Sequence, residues 1–138
     1  MKTVICIISL LFSICMGNAQ KTSNPKVSIS YSNDEPGDKN YKVNISITNN
    51  DDLYTLNASF PTSKTEKLKK YLKEQLQTKM TKNGSGYTWV YTVKGSVGHT
   101  VKLKNGKLDV YIDKKRISAD LVEDFIDIFS DLKDIVKE

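Results

Sequence analysis

The first third of the chain alternates apolar and polar side chains with a period of two. Lys26 to Tyr31 and Leu53 to Phe60 show this alternation, and Tyr41 to Thr48 shows it most regularly. Strict alternation is typical of strands in a sheet that buries only one face. Turn-forming residues fill the two gaps, at 32–40 and 49–52. The pattern therefore predicts a three-stranded antiparallel meander.

Three further strands are predicted in the second half of the chain, over Tyr87 to Lys94, His99 to Lys104 and Lys107 to Asp113. Asn105 and Gly106 separate the last two of them. An Asn-Gly pair is favoured in a type I′ turn, because both central residues of that turn take a positive φ. We therefore expect a tight two-residue hairpin at this position.

Two segments show apolar residues at helical spacing instead. The first runs from about Ser63 to Lys79, and Ser63 together with Glu66 resembles a capping box. The second begins after Ser118, a residue type favoured at the N-cap, and has an apolar stripe opposite an acidic one. The apolar stripe comprises Leu121, Val122, Phe125, Ile126, Phe129, Leu132 and Val136, and the acidic stripe comprises Asp120, Asp124, Asp127, Asp131, Asp134 and Glu138.

These elements follow one another in the order βββα-βββα. Because the sheet and the helices each have one apolar side, packing the helices on one face of the sheet buries both apolar surfaces. The sequence thus predicts a single α+β domain over residues 26–138, with an antiparallel sheet of about six strands and helices packed on one face. The two halves share the order of elements without residue-level identity, so a true internal repeat remains an open alternative.

The N-terminus has the composition of a cleavable secretory signal peptide over residues 1–19. Lys2 supplies the positive charge, Val4 to Met16 is apolar apart from two serines, and Gly17 to Ala19 provides small residues for cleavage. The apolar run is too short for a transmembrane anchor, which needs about 20 residues. Residues 20–25 are predicted to form a flexible polar leader.

Both cysteines of the chain, Cys6 and Cys15, lie inside the predicted signal peptide. A lipid anchor on Cys15 is disfavoured because Ile14 precedes it, where the processing enzyme needs a small residue. Cleavage after Ala19 leaves a chain without thiols. Small eukaryotic secreted domains often depend on disulfides, so the absence of thiols favours a bacterial secreted or periplasmic protein.

Few residues of the predicted domain can perform acid–base or nucleophilic catalysis. The single histidine, His99, begins a strand beside a turn, and we expect it at the surface, with a general base as the alternative. Ser96 is close to His99, but one turn seldom aligns both side chains. The loop acids, such as Asp51 and Asp52, lack the calcium-loop pattern. The sequence therefore predicts no catalytic residue, no metal and no cofactor.

Two basic segments contain candidate binding residues. Residues 64–82 and 94–116 are rich in lysine, whereas residues 117–138 are acidic. A basic surface attracts polyanions, although solvated lysines, or lysines paired with the acidic helix, explain the pattern as well. The candidate lysines are Lys67, Lys70 and Lys73 in the first helix and Lys102 and Lys104 in the fifth strand.

An aromatic row is the second candidate binding feature. Tyr87, Trp89 and Tyr91 fall on one face of the fourth strand. If this face is exposed, Trp89 and Tyr91 would stack on sugar rings or bases. If it is buried, they would belong to the core. We favour the buried arrangement because the opposite face of the strand is more polar, and this arrangement requires Val90 to face solvent.

Taken together, these features predict a secreted or periplasmic, non-catalytic binding or interaction module of unknown ligand, facing a polyanion or a glycan. Its partner is predicted to be a protein or an envelope or extracellular polymer. Nucleic acid is disfavoured because arginine suits phosphate recognition better than lysine, and Arg116 is the only arginine. The alternatives are an inhibitor or immunity-type protein that blocks an exported enzyme, and a small hydrolase using His99. The ligand and the oligomeric state are not determined by the sequence.

Overall fold

The computed structural model describes residues 26–32 and 42–137, and for residues 26–32 it describes the backbone alone. The predictions of a signal peptide at 1–19 and a leader at 20–25 lie outside the described residues. The described part of the chain contains seven strands, a short 3₁₀ segment at Thr62–Lys64 and three α-helices. In chain order they are β1 (Lys26–Ser32), β2 (Lys42–Asn49), β3 (Leu53–Ser59), α1 (Thr65–Gln75), β4 (Met80–Asn83), β5 (Gly86–Val93), β6 (Ser96–Lys104), β7 (Lys107–Asp113), α2 (Ala119–Ser130) and α3 (Leu132–Lys137).

All seven strands belong to one antiparallel sheet, in the order β1-β2-β3-β7-β6-β5-β4. The two meanders, β1 to β3 and β4 to β7, join where β3 pairs with β7. In that pairing Leu56 lies opposite Val110, and Asn57 lies opposite Asp109. Directly opposed residues of paired strands point to the same face. The register therefore gathers apolar side chains on one face and polar side chains on the other.

The apolar face of the sheet is covered by the helices and forms the core. The Tyr71 hydroxyl of α1 donates a hydrogen bond to the Ile128 carbonyl oxygen of α2 at 2.9 Å, which joins the two helices. The α+β class, the antiparallel sheet and the packing of helices on one face are thereby confirmed. The buried apolar residues of the strands are Val43, Ile45, Tyr54, Leu56, Ala58, Trp89, Val101, Leu103, Leu108, Val110 and Ile112, and those of the helices are Leu68, Leu72, Val122, Phe125, Phe129, Leu132 and Val136.

The sheet includes one strand that the sequence pattern did not predict. α1 ends at Gln75 rather than near Lys79, and the chain enters the sheet as β4 at Met80. Gly84, with a φ of 59°, permits the tight turn that pairs β4 with β5. The residues of β4, which the sequence pattern left unassigned apart from Asn83, thus pair with β5. The predicted final helix is also divided, into α2 and α3, at Asp131.

The hairpins of the second meander differ from the expected turn types. In the β6–β7 hairpin Gly106 has a φ of 70°, but the preceding asparagine does not have a positive φ, so the predicted type I′ turn is wrong. The Gly106 N–H donates to the Thr65 hydroxyl at 3.0 Å, and the Gly106 carbonyl accepts from the Phe60 N–H at 2.9 Å. Positive φ at two successive residues occurs instead at Lys94 and Gly95, between β5 and β6.

Neither α1 nor α2 has the side-chain cap that its sequence predicts. Ser63 lies in the 3₁₀ segment, and Lys64 is the N-cap of α1 without a side-chain hydrogen bond. Glu66 forms an ion pair within α1 instead. Ser118 is the N-cap of α2 as predicted, but its backbone carbonyl, not its hydroxyl, accepts the N–H of Val122 at 3.0 Å.

Candidate functional site

The polar face of the sheet carries two rows of side chains that cross the strands. The members of each row lie directly opposite one another on β5, β6, β7 and β3. The first row consists of Val90, Thr100, Tyr111 and Thr55, and the second of Thr88, Lys102, Asp109 and Asn57. These side chains point away from the helices, because their neighbours along each strand point into the core. We call this surface the open face, since none of the described elements packs on it.

The open face is concave at its centre, between β3, β7 and β6. Sheets of several strands twist and coil, and such curvature forms a shallow depression. The depression has a volume of about 390 Å³ and is lined by Thr55, Asn57, Thr100, Lys102, Asp109, Val110 and Tyr111. Tyr111 is the one aromatic residue in this lining, and it is 43% exposed.

Charged and amide side chains lie side by side in this concavity, with no side-chain partner in the described part of the chain. Lys102 and Asp109 are direct cross-strand neighbours, and Asn57 follows Asp109 on the next strand. Among the described residues the structure shows no ion pair between Lys102 and Asp109. Their ammonium and carboxylate groups, with the Asn57 amide, therefore offer both hydrogen-bond donors and acceptors to a ligand.

The two predicted lysine clusters lie on opposite sides of the domain. Lys67, Lys70 and Lys73 are exposed on α1, which packs on the apolar face of the sheet. Lys102 and Lys104 project from the open face. The sheet and the helix layer separate the two clusters, so the structure does not combine them into one basic surface.

Tyr87, Trp89 and Tyr91 face the helices. Trp89 is 0% exposed, and its indole nitrogen has no hydrogen-bond partner in the described part of the chain. The half-buried Tyr91 ring stacks on the ring of His99, with 5.5 Å between centroids. Val90 is 43% exposed, as the buried arrangement requires. Because helices cover this strand face, Trp89 is a core residue and not a surface platform, which corrects its place among the candidate binding residues.

His99 is buried, and the expected surface position is wrong. The side chain is 1% exposed, and its ring meets the Phe125 ring edge-on, with 4.2 Å between centroids. Neither ring nitrogen has a hydrogen-bond partner among the described residues, so Ser96 is not bonded to it. Burial lowers the pKa of His99 to about 4, and the imidazole is therefore neutral at pH 7. The ring lacks the solvent access and polar contacts that a general base uses.

The central residues of the open face were missed by sequence reasoning. Tyr111 did carry a signal, because it is an aromatic residue on the polar side of an alternating strand whose other side holds Val110 and Ile112. Asn57 and Thr100 carry no comparable signal. Thr100 is placed opposite Tyr111 only by the pairing of β6 with β7. Asn57 is placed in the adjacent row, opposite Asp109, only by the pairing of β3 with β7.

Within the described ranges, no group of three or more His, Cys, Asp or Glu residues is placed to hold a metal ion. The loop residue Asp52 pairs instead with Lys115, with 3.0 Å between carboxylate oxygen and Nζ. None of the helices in the described ranges has the length and hydropathy to cross a bilayer.

The fold and the site define a two-layer α+β domain whose seven-stranded antiparallel sheet has one covered and one open face. No protein-family model, curated protein or solved structure matches the chain. Function is therefore inferred from the chemistry of the open face.

Proposed function

We propose that this protein is an exported, non-catalytic binding module that contacts another macromolecule through its open face. The main support is the concavity of about 390 Å³, which none of the described elements covers. In it an exposed tyrosine lies beside polar groups that have no partner among the described residues. Strands hold neighbouring side chains at a fixed spacing of about 4.8 Å. Donors and acceptors on such a face are positioned before the partner arrives, which reduces the entropy lost on binding.

The lysines of α1 are a second candidate surface, with less support. Lys69 forms an ion pair with Glu66, and its Nζ lies 4.7 Å from the centroid of the Tyr87 ring. This lysine therefore helps to attach α1 to β5. The one arginine of the chain, Arg116, pairs with Asp113 at 2.9 Å. Arginine is the better residue for binding phosphate or carboxylate groups. Because α1 contains no arginine, a polyanion site on α1 has less support than the open face.

Export belongs to the same proposal and is supported by the charged, apolar and small-residue regions of residues 1–19. We infer cleavage after Ala19 and a secreted or periplasmic product that begins at Gln20. Mass spectrometry of the native protein, isolated from envelope and medium fractions, tests this. A product in the cytosol that retains Met1 contradicts export without affecting the proposed binding surface.

The binding role is tested by retention experiments with the purified protein immobilised. Three pools of possible ligands are applied to it: neutral polysaccharides, acidic polysaccharides and exported proteins, all from the organism that makes this protein. A face variant, Thr55→Arg with Thr100→Arg, fills the concavity. A matched helix variant, Lys70→Ala with Lys73→Ala, changes only the surface of α1. Equal melting temperatures and circular dichroism spectra establish that both variants are folded.

Retention of one pool by the wild type and the helix variant, but not by the face variant, supports the open face as the binding surface. Retention of an exported enzyme in this manner identifies the module as an inhibitor. Loss of retention in the helix variant assigns binding to α1 and contradicts the proposal, as does a wild-type protein that retains nothing.

A further inference from the structure

Tyr111 gives the open face an aromatic surface in an otherwise polar setting. It is 43% exposed and lies directly between Thr55 and Thr100 on the neighbouring strands. The face of an aromatic ring carries partial negative charge, and the flat side of a pyranose ring presents C–H groups with partial positive charge. The two surfaces match in shape and polarity. A half-exposed tyrosine flanked by short hydroxyl side chains leaves room for such a ring to stack.

The adjacent row supplies the hydrogen bonds that sugar hydroxyls need. Lys102, Asp109 and Asn57 follow one another on β6, β7 and β3, at the strand spacing of about 4.8 Å. An ammonium group only donates, a carboxylate only accepts, and an amide does both. Sugar hydroxyls also donate and accept, so adjacent hydroxyls on one ring find complementary partners along this row.

The charge and the volume of the concavity restrict the class of ligand further. Lys102 and Asp109 are the charged residues that line the concavity, and they have opposite charges at directly opposed positions, so the charges of its lining cancel. Lys104 and Lys107 lie one row further along the same face, outside that lining. Pockets for small ligands span roughly 300–1,000 Å³. A concavity of about 390 Å³ lies at the lower end of that range and suits one or two sugar rings of a chain.

From these observations we infer that the open face binds an uncharged glycan, with one pyranose ring stacked on Tyr111 and its hydroxyls bonded to Asp109, Lys102 and Asn57. This inference rests on the proposed function and specifies its ligand. The pyranose then lies in the concavity over Tyr111, and its hydroxyls point towards the adjacent row of polar groups on β6, β7 and β3.

Isothermal titration calorimetry with defined oligosaccharides tests the inference. The probes are uncharged hexasaccharides of glucose, N-acetylglucosamine, mannose and xylose, and a heparin hexasaccharide as the acidic probe, each at low and high salt. We expect one uncharged probe to bind with an affinity that salt does not change, since polyanion binding would weaken steeply. Tyr111→Ala and Asn57→Ala should each weaken binding by about tenfold or more, the change caused by losing about 1.4 kcal/mol.

Two variants serve as controls. Val97→Ala removes a side chain that is also 43% exposed but does not line the concavity, and it should bind as the wild type does. Tyr111→Phe keeps the ring and should retain most of the affinity. Absence of binding to every uncharged probe, or full affinity in Tyr111→Ala, overturns the inference. If the face variant still loses retention of an acidic polymer or a protein, the proposed binding surface stands while the glycan inference fails.

Discussion

His99 is the most unusual residue of the core, because both nitrogens of its ring are buried without a hydrogen-bond partner among the described residues. A buried polar group left unsatisfied costs about 1–3 kcal/mol. The neighbours of the ring are aromatic: Tyr91 stacks on it and Phe125 meets it edge-on. Such surroundings accept a neutral imidazole far better than a charged one.

The stability of the domain should therefore fall in mild acid. The pKa of His99 is about 4 in the folded protein, below the ordinary value of 6.5. The folded state disfavours the protonated ring, so protonation of His99 favours unfolding. The stability associated with the neutral ring is therefore fully present above pH 6.5 and is lost as the pH falls from 6.5 through 4. A difference in pKa of this size corresponds to about 3 kcal/mol in the free energy of unfolding. Urea unfolding at several pH values measures it.

The control for this acid sensitivity is His99→Phe, which keeps an aromatic ring but cannot be protonated. We expect its free energy of unfolding to depend less on pH between 6.5 and 4, and to exceed that of the wild type at pH 7. Parallel pH profiles for the two proteins would show that other groups cause the acid sensitivity.

Trp89 and Val90 are adjacent in the chain but face opposite sides of the sheet, and their substitutions should differ accordingly. Trp89→Ala removes a fully buried side chain and should destabilise the domain by about 3–5 kcal/mol. Val90→Ala changes a side chain on the open face and should cost less than about 1 kcal/mol. Chemical denaturation followed by circular dichroism compares them; similar losses would place Trp89 outside the core.

At the scale of elements, the β6–β7 hairpin is held by the segment that leads into α1. The backbone of Gly106 bonds to Phe60 and to the side chain of Thr65. A Cβ on Gly106 would lie 2.7 Å from the Phe60 carbonyl oxygen, whereas a Cβ on Gly84 would meet no atom within 4 Å. The two glycines have similar positive φ values, 70° and 59°. Comparing substitutions at these two positions therefore distinguishes the cost of backbone strain from the cost of steric contact.

Alanine at these two glycines should therefore destabilise the domain to different extents. Gly84→Ala should lose about 1–2 kcal/mol, the cost of a left-handed conformation for a residue with a Cβ. Gly106→Ala should lose more than that, because the backbone of β3's end must also move. Thermal melts of both variants measure the difference, and equal losses would contradict the close approach to Phe60.

The whole molecule has one core that both halves, β1 to α1 and β4 to α3, share. β3 pairs with β7 between the halves, and the Tyr71 hydroxyl of α1 bonds to the Ile128 carbonyl of α2. The predicted order of elements left an internal repeat open, and the helices of both halves pack on the same face of a continuous sheet. Neither half encloses a separate core.

The domain should consequently unfold in a single cooperative transition. The fluorescence of Trp89 reports on the second half, and far-ultraviolet circular dichroism reports on all helices and strands. We expect the two signals to give the same urea midpoint, as two-state unfolding requires. Separate midpoints would instead indicate two units that lose their structure independently.

Period-two alternation alone determined most strands, because burial on one side of a sheet is a local property of each strand. Val43 and Ile45 in β2, and Leu108 and Val110 in β7, are buried as their spacing predicts. The helical stripe of α2 is likewise a local pattern, and it predicted Phe125 in the core correctly. These features require no knowledge of which element lies opposite.

Tertiary structure alone decided β4, the burial of His99 and the composition of the open face. β4 forms because Met80 finds a partner strand across the Gly84 turn, in a segment where the local spacing predicted neither helix nor strand. His99 is buried because α2 covers its end of β6. Asn57 meets Asp109 only through pairing across more than fifty residues of sequence. Contacts between distant segments arise from strand order and helix packing, so short-range periodicity contains no record of them.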